Sequence, residues 1–459
     1  MKDLSQDTIC ALATAQGQAG LAVVRVSGGR AAQAVAALAG AGVAKMTSHT
    51  LKLAVFRDEE GIIDEGVVSY FAAPRSYTGE EVMELSVHAS SYIVERLLRA
   101  LVKQGVRMAT AGEFTQRAFV NGKMDLSQAE AVADLIAGES KAAHDMAIAQ
   151  LRGGFSSEIE ALRQKLLDFV ALVELELDFS EEDVEFADRS RLRELLAEID
   201  AKVEALRASF QEGNALKEGI PVVIVGKPNA GKSTLINALL HEERALVSDI
   251  PGTTRDTVEE VWNLGGAKFR LIDTAGLRQS DDKVERMGVE RTLQKMQAAR
   301  VWLYVFDSTS MPLSEARKEV DAWRERVSVG LEKSRQPVVF WVANKADETG
   351  CEPHRENDII YLSAKTGAGL EFLQEALKST IPALPDGQTA VLNNLRHYEA
   401  LGLVKEDLAR IAEGMEGGLP GDLLSIDIHA AIDHLGLITG KILSDDVLGA
   451  VFSRFCIGK

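Results

Sequence analysis

The stretch Gly226-Lys227-Pro228-Asn229-Ala230-Gly231-Lys232-Ser233-Thr234 has the spacing G-x-x-x-x-G-K-[ST] and lies between an apolar run, Ile220 to Val225, and a helical one, Leu235 to Leu240. Strand, glycine-rich turn and helix in that order commit this part of the chain to an α/β fold that holds phosphates. The glycines let backbone N–H groups crowd round a β-phosphate, and the helix N-terminus adds a favourable dipole. Lys232 can reach the β/γ oxygens and Ser233 can offer its hydroxyl to Mg2+, with Asn229, Ala230, Gly231 and Thr234 completing the loop. A chance match of this spacing predicts no further nucleotide motifs.

Four more follow in order. Gly252-Thr253-Thr254-Arg255-Asp256 offers Thr254 as an Mg2+-linked sensor of the γ-phosphate. Asp273-Thr274-Ala275-Gly276 ends the strand-like Phe269 to Ile272, where an aspartate can hold Mg2+ through water and a glycine N–H can meet the γ-phosphate. Asn344-Lys345-Ala346-Asp347 ends the apolar run Val338 to Val342, and the Asp347 carboxylate can accept both guanine N1–H and N2–H, which adenine cannot offer. Ser363-Ala364-Lys365 supplies a backbone N–H for guanine O6. Each alone is an ordinary turn. Their order specifies GTP in a Ras-like P-loop module.

At 459 residues the chain is long enough for two to four domains, so the GTPase module is one part of it. Its balance of 51 Lys+Arg against 69 Asp+Glu, a net −18, argues against a broad phosphate-gripping face, so a nucleic-acid role needs a local patch or a basic partner. Three scattered cysteines, Cys10, Cys351 and Cys456, form neither a disulfide framework nor a C-x-x-C metal site, which fits a reducing cytosol. No apolar run reaches the ~18 residues of a membrane span, and no secretory pattern opens the chain. The expectation is a cytoplasmic protein with no membrane association.

Residues 1–120 alternate short apolar runs with turns (Leu21 to Val26, Thr50 to Phe56, Ile62 to Phe71, Val82 to Val87) and read as strands with two helices, an α+β module. His88, on the last of these strands, reads as a core histidine. From Asp125 the pattern turns helical, with Ser127 and Glu130 spaced as a capping box and an apolar stripe at Leu192, Leu195, Leu196, Ile199, Val203 and Leu206. The GTPase module occupies 216–382. Helical pattern resumes over 383–459, so the module reads as an insertion between the two segments, 121–215 and 383–459, of one helical domain.

Chemistry within the module has a gap. A Ras-like enzyme places a water-orienting glutamine after Asp-Thr-Ala-Gly, and here that residue is Leu277. Arg255 and Arg278 stand near, and Asn229 offers an amide oxygen where a monovalent cation could take an arginine's place; the bland alternative is an amide satisfied within the loop. The last five residues are Phe455-Cys456-Ile457-Gly458-Lys459, and Cys456 is either incidental or a thiol working in another domain's pocket. Such a tail is mobile unless docked.

Residues far apart now agree on a family. Arg25 in V-V-R-V-S-G, Tyr77-Thr78-Gly79-Glu80, Gly112-Glu113-Phe114-Thr115-Gln116-Arg117-Ala118-Phe119, Asn121-Gly122-Lys123-Met124-Asp125-Leu126, the P-loop, G-T-T-R-D and the terminal C-I-G-K together resemble the MnmE-type tRNA modification GTPases over essentially the whole chain. The resemblance implies a multidomain α+β and α/β protein: an N-terminal folate-binding α+β domain, a discontinuous helical domain and an inserted Ras-like G domain.

By that resemblance the chain is a homodimer that works with an MnmG-type flavoprotein. The partner carries the FAD and grips most of the tRNA. Together they add an aminomethyl or carboxymethylaminomethyl group to C5 of the wobble uridine, using a carbon from 5,10-methylenetetrahydrofolate; the 5-formyl analogue can bind in its place. The family's folate positions fall on Arg25, Glu84, Lys123 and Lys459, and its modification thiol on Cys456. Its K+ ligands fall on Asn229, Ser248, Ile250 and Thr253, Mg2+ on Ser233 and Thr254, and the water-orienting acid on Glu285. The loop Ala15 to Gly20 and His88-Ala89-Ser90 depart from the family's glycine-rich pattern. A ribosome-assembly GTPase without covalent chemistry is the alternative, but the KH-like G-x-x-G loop beside basic residues that it needs is missing.

Overall fold

A computed structural model describes residues 7–178, 189–244, 259–273, 293–327, 336–383, 391–442, 445–453 and 455–459. It forms two compact units, one drawing on residues up to Ala137, Ala147–Glu204 and Glu399–Lys459, the other on Gly138–Met146 and Ala205–Tyr398.

The first unit opens with a sheet of six strands, β1 (Ile9–Leu12), β2 (Ala19–Ser27), β3 (Thr50–Asp58), β4 (Gly61–Phe71), β5 (Val82–Ala89) and β6 (Arg107–Met108), in the order β3-β4-β5-β2-β1-β6. Period-two patterning sets its faces: in β2, Ala22, Val24 and Val26 are buried while Arg25 points the other way. Helices α1 (Ala31–Ala39) and α2 (Ser91–Lys103) cover the apolar face, closing a core with Phe56, Met83, Leu85, Leu97 and Leu101. Helix α3 (Glu113–Val120) then leads to α4 (Leu126–Ala137).

The helical region of this unit continues with α5 (Lys141–Leu151), α6 (Gly154–Asp178) and α7 (Arg189–Ala208), which run on or lead into the second unit, and returns after it as α12 (Leu395–Glu416), α13 (Gly421–Thr439) and α14 (Asp445–Phe452). On α7 the stripe Leu192, Leu196, Ile199, Val203 and Leu206 is buried, as its spacing requires. The capping box sits two residues earlier than expected. Asp125 Oδ1 accepts from Gln128 N–H at 2.9 Å and Gln128 Oε1 accepts from Asp125 N–H at 2.9 Å. Ser127 lies inside the helix, its hydroxyl on Ser156 Oγ at 2.9 Å. An aspartate one residue before the helix outcompetes a serine that helical packing draws inward. His88 also differs from expectation. It is exposed, because the strand's alternation turns it to the face opposite the buried Leu85 and Val87, where Asp64 accepts from its N–H at 2.9 Å and pairs with its Nδ1 at 3.0 Å.

The second unit is a seven-stranded sheet in the order β12-β13-β11-β10-β7-β9-β8. Its strands are β7 (Ile220–Val225), β8 (Glu259–Leu264), β9 (Ala267–Asp273), β10 (Val301–Asp307), β11 (Val338–Asn344), β12 (His354–Glu356) and β13 (Ile359–Tyr361). The five central strands are parallel and only the edge strands β8 and β12 run antiparallel. Both faces are buried, against α8 (Phe210–Glu218), α9 (Lys232–Arg244) and α11 (Leu370–Lys378) on one side and α10 (Leu313–Val327) on the other, so the strands read as near-continuous apolar runs. In such sheets ligands bind where strand C-termini meet loops. That is where the P-loop lies.

Candidate functional site

Between β7 and α9 the loop turns through Gly226, at φ +148°, and Gly231, at φ +92°. A Cβ on Gly226 would stand 1.9 Å from Val305 O, and one on Gly231 would stand 2.2 Å from Asn344 Nδ2. The two glycines are therefore needed for close approach, not only for their dihedral freedom. Lys232 Nζ donates to Gly226 O at 3.0 Å and Lys227 O at 2.9 Å, which holds the ammonium over the loop. Ser233 Oγ lies 3.2 Å from Asp273 Oδ2, which brings two hard oxygen atoms together beside the loop. Asn229 takes the left-handed conformation, φ +64°, and its exposed amide has no hydrogen-bond partner among the described residues. The reading in which the loop satisfies that amide loses its support.

Sequence reasoning missed the part played by Asn344. Its side chain is 3 % exposed, with Nδ2 donating to Ala230 O at 2.8 Å and Oδ1 accepting from Ala364 N–H at 2.9 Å. One amide thus joins the phosphate loop to the Ser363-Ala364-Lys365 loop. Lys345 follows at φ +68°, its Nζ 2.6 Å from Asp307 Oδ2, and this turn presents Asp347 to solvent at the start of a short helical turn. Burial raises the Asp307 carboxyl, but Lys345 and the Thr309 hydroxyl and N–H outweigh it and keep it charged below the usual range. Lys365 is exposed beside the buried Ser363 and Ala364. Ser248, Ile250, Thr253, Thr254, Thr274, Ala275, Gly276 and Glu285 lie outside the described residues.

In the first unit, Arg25 and Glu84 face each other across β2 and β5 in register, with Arg25 Nε 3.0 Å from Glu84 Oε1. The Arg25 guanidinium lies over the rings of Tyr77, at 5.1 Å, and Phe114, at 5.7 Å. The C-terminal tail comes to the same place. Phe114 N–H donates to Lys459 O at 3.2 Å, Gly112 N–H to Cys456 O at 3.4 Å and Arg25 Nη1 to Gly458 O at 3.5 Å, while Ala111 and Ile457 form an antiparallel bridge. The tail is docked. Cys456 is exposed there, unlike Cys10, whose burial pushes its thiol up to about 12. Lys123 instead turns its amine to Pro74 O at 3.0 Å.

Beneath the tail, the Gly112 to Phe119 segment is anchored by a buried charge cluster, which the i,i+4 spacing of Glu113 and Arg117 could have signalled. Arg117 Nη2 lies 3.0 Å from Glu113 Oε1 and 2.6 Å from Asp7 Oδ1, and its Nη1 lies 3.2 Å from Glu80 Oε1. Arg107 also pairs with Glu113, at 2.5 Å. Burial raises the Glu113 carboxyl, yet Arg107, the Thr110 N–H and Arg117 together hold it below its ordinary value.

Among the described residues no three or more His, Cys, Asp and Glu side chains gather where they could hold a metal ion, and no described helix is long and apolar enough to cross a membrane.

Two domain families match the chain: the MnmE helical domain over residues 126–456, and the N-terminus of the GTP-binding protein TrmE over 8–123. The chain is similar to the tRNA modification GTPase MnmE of Christiangramia forsetii, 48% identical over 477 residues and covering 99% of each chain. A second such relative, from Cytophaga hutchinsonii, is 47% identical over 459 residues, covering 99% of this chain and 98% of its own. These matches run through the N-terminal sheet, the helices and the GTPase module alike, and leave no support for a ribosome-assembly factor. The chain belongs to the MnmE family of tRNA modification GTPases.

Proposed function

We propose that the chain is a K+-activated GTPase that, with an MnmG-type flavoprotein, adds an aminomethyl or carboxymethylaminomethyl group to C5 of the wobble uridine of certain tRNAs. A tetrahydrofolate supplies the one-carbon unit. The observation that carries this reading is the docking of Cys456, Gly458 and Lys459 beside the Arg25–Glu84 pair, which sets an exposed thiol next to an aromatic-lined ion pair. Arg25, Glu84 and Lys459 would bind and orient the folate, and Lys123 would join them by leaving Pro74. Residues 1–120 would form the folate domain, 121–215 and 383–459 the helical domain and 216–382 the G domain, in a cytoplasmic homodimer.

In the G domain, Ser233 and Thr254 would hold Mg2+, which neutralises developing phosphate charge, and Glu285 would orient the attacking water. Lys232 would neutralise the β/γ oxygens. Asn229, with Ser248, Ile250 and Thr253, would hold K+ where an arginine finger usually stands. The exposed amide of Asn229, without a hydrogen-bond partner among the described residues, supports that role.

Two experiments test the reading. A strain lacking the gene should lose the modified wobble uridines by tRNA nucleoside mass spectrometry, and a Cys456→Ser copy should fail to restore them while still hydrolysing GTP. Normal nucleosides in the deletion strain would overturn it. Separately, GTP hydrolysis should run roughly tenfold or more faster in K+ than in Na+, as befits a charge set at the transferring phosphoryl group. Asn229→Gly keeps the left-handed turn and removes the amide, so it should erase that difference; equal rates in the two salts for the unchanged protein reject the potassium role.

A further inference from the structure

At the ends of the G-domain strands away from the P-loop lies a cleft of about 550 Å3 between α8 and the start of the sheet. That size suits a small ligand. Four residues form its floor in a single row. Pro221 pairs with Arg270, and the pairings of Val301 with Val222 and Val338 set Arg300 level with Pro221 and Pro337. The backbone bonds agree: Arg300 N–H donates to Pro221 O at 3.1 Å and Val338 N–H to Arg300 O at 3.0 Å. Level residues of neighbouring parallel strands point to one face, so the two arginines share it, two strands or about 10 Å apart at the backbone.

Further along the same face the row positions are apolar and buried, through Val223, Ile272, Trp302 and Val339. Charge therefore replaces the core where the cleft opens. A solvated rim is the ordinary explanation of a single such arginine, and it does not account for two of them level in one row at one cleft. Arg270, its side chain 36 % exposed, keeps only a loose ion pair to Glu259, 3.6 Å from Nη1, because Lys295 also takes that carboxylate. The Arg300 side chain has no hydrogen-bond or ion-pair partner among the described residues. Two guanidinium groups thus face one cavity with donors to spare, the arrangement that receives a phosphate. The opposite wall differs in chemistry. There α8 contributes Phe210, Asn214 and the carboxylates of Glu212 and Glu218, neither of which pairs with the arginines.

We propose that this cleft is a second ligand site of the G domain, distinct from the GTP site, and that it takes a nucleoside 5′-phosphate. The phosphate sits between the guanidinium groups of Arg270 and Arg300. The sugar hydroxyls donate to Glu212 or Glu218, and the base packs on Phe210 and the two prolines. Because the row is set by the register of β9, β7, β10 and β11, occupancy would brace the same strands whose other ends carry Asp273, the P-loop and Asn344.

The test uses the full-length protein saturated with GDP and Mg2+, so that the P-loop is filled. Titration calorimetry with adenosine 5′-monophosphate, whose base Asp347 does not select, should show one added binding site. Arg300→Ala and Arg270→Gln should each weaken it by about tenfold or more, the loss expected for one charge-assisted contact. GDP affinity unchanged in both variants shows that they are folded. Absence of adenosine monophosphate binding, or binding that neither variant weakens, would overturn the proposal.

Discussion

Gly458→Ala is expected to remove most tRNA modification while leaving GTP hydrolysis unchanged. Gly458 holds φ at +102°, and a Cβ there would stand 2.1 Å from Leu12 O and 3.0 Å from Leu12 C. Leu12 cannot yield, because it belongs to β1 and pairs with Val24 of β2 inside the six-stranded sheet. A non-glycine residue in this conformation costs about 1–3 kcal/mol before the clash is counted. The tail is held by a few backbone bonds, each contributing roughly 0.5–1.5 kcal/mol net. Cost and docking energy are thus comparable, and the tail should release, carrying Cys456 away from Arg25 and Glu84. In a deletion strain the variant should restore roughly a tenth or less of the modified wobble uridine, since about 1.4 kcal/mol shifts docking tenfold. Purified protein should hydrolyse GTP at the normal rate and become sensitive to carboxypeptidase. Full modification by Gly458→Ala would show that the docked tail has no part in the chemistry.

What the sequence disclosed and what it withheld divide along physical lines. The P-loop was legible because its spacing is dictated by a small rigid ligand and by two flanking elements with clear periodicity. For the same reason β7, β9 and β11 end at Val225, Asp273 and Asn344, where the motifs place them. The bridge made by Asn344 was not legible, since a motif records the ligand contact and not which loops a buried amide ties together. Tail docking stayed open for a related reason: it depends on Ala111, Gly112 and Phe114, more than 300 residues earlier in the chain. Glu113 and Arg117 carried a helical spacing signal, but Asp7 and Glu80, which complete their cluster, share no local pattern with them. The capping box slipped because two S/T/D-x-x-E/Q frames overlap at Asp125 and Ser127, and only packing against Ser156 decides between them.

The second large effect is expected at Asn344, where an isosteric change should be as damaging as a truncation. Asn344→Ala leaves Ala230 O and Ala364 N–H buried without partners, at about 1–3 kcal/mol each. Both loops should loosen, and GDP affinity should fall by roughly a hundredfold or more. Asn344→Asp keeps the acceptor for Ala364 N–H but replaces the donor with a carboxylate oxygen 2.8 Å from the Ala230 carbonyl. Repulsion there, at a position only 3 % exposed, makes a charged aspartate no better than alanine at neutral pH. The two variants part on acidification. Burial and the facing carbonyl raise the new carboxyl above the usual range, so falling pH protonates it and restores an O–H donor to Ala230. GDP affinity of Asn344→Asp should therefore recover as pH falls from 8 towards about 5, while that of Asn344→Ala stays low. Equilibrium binding of a fluorescent GDP across that range checks both. Near-normal affinity of Asn344→Asp at pH 8 would mean that the Ala230 bond contributes little and that the two loops are held by their own backbones.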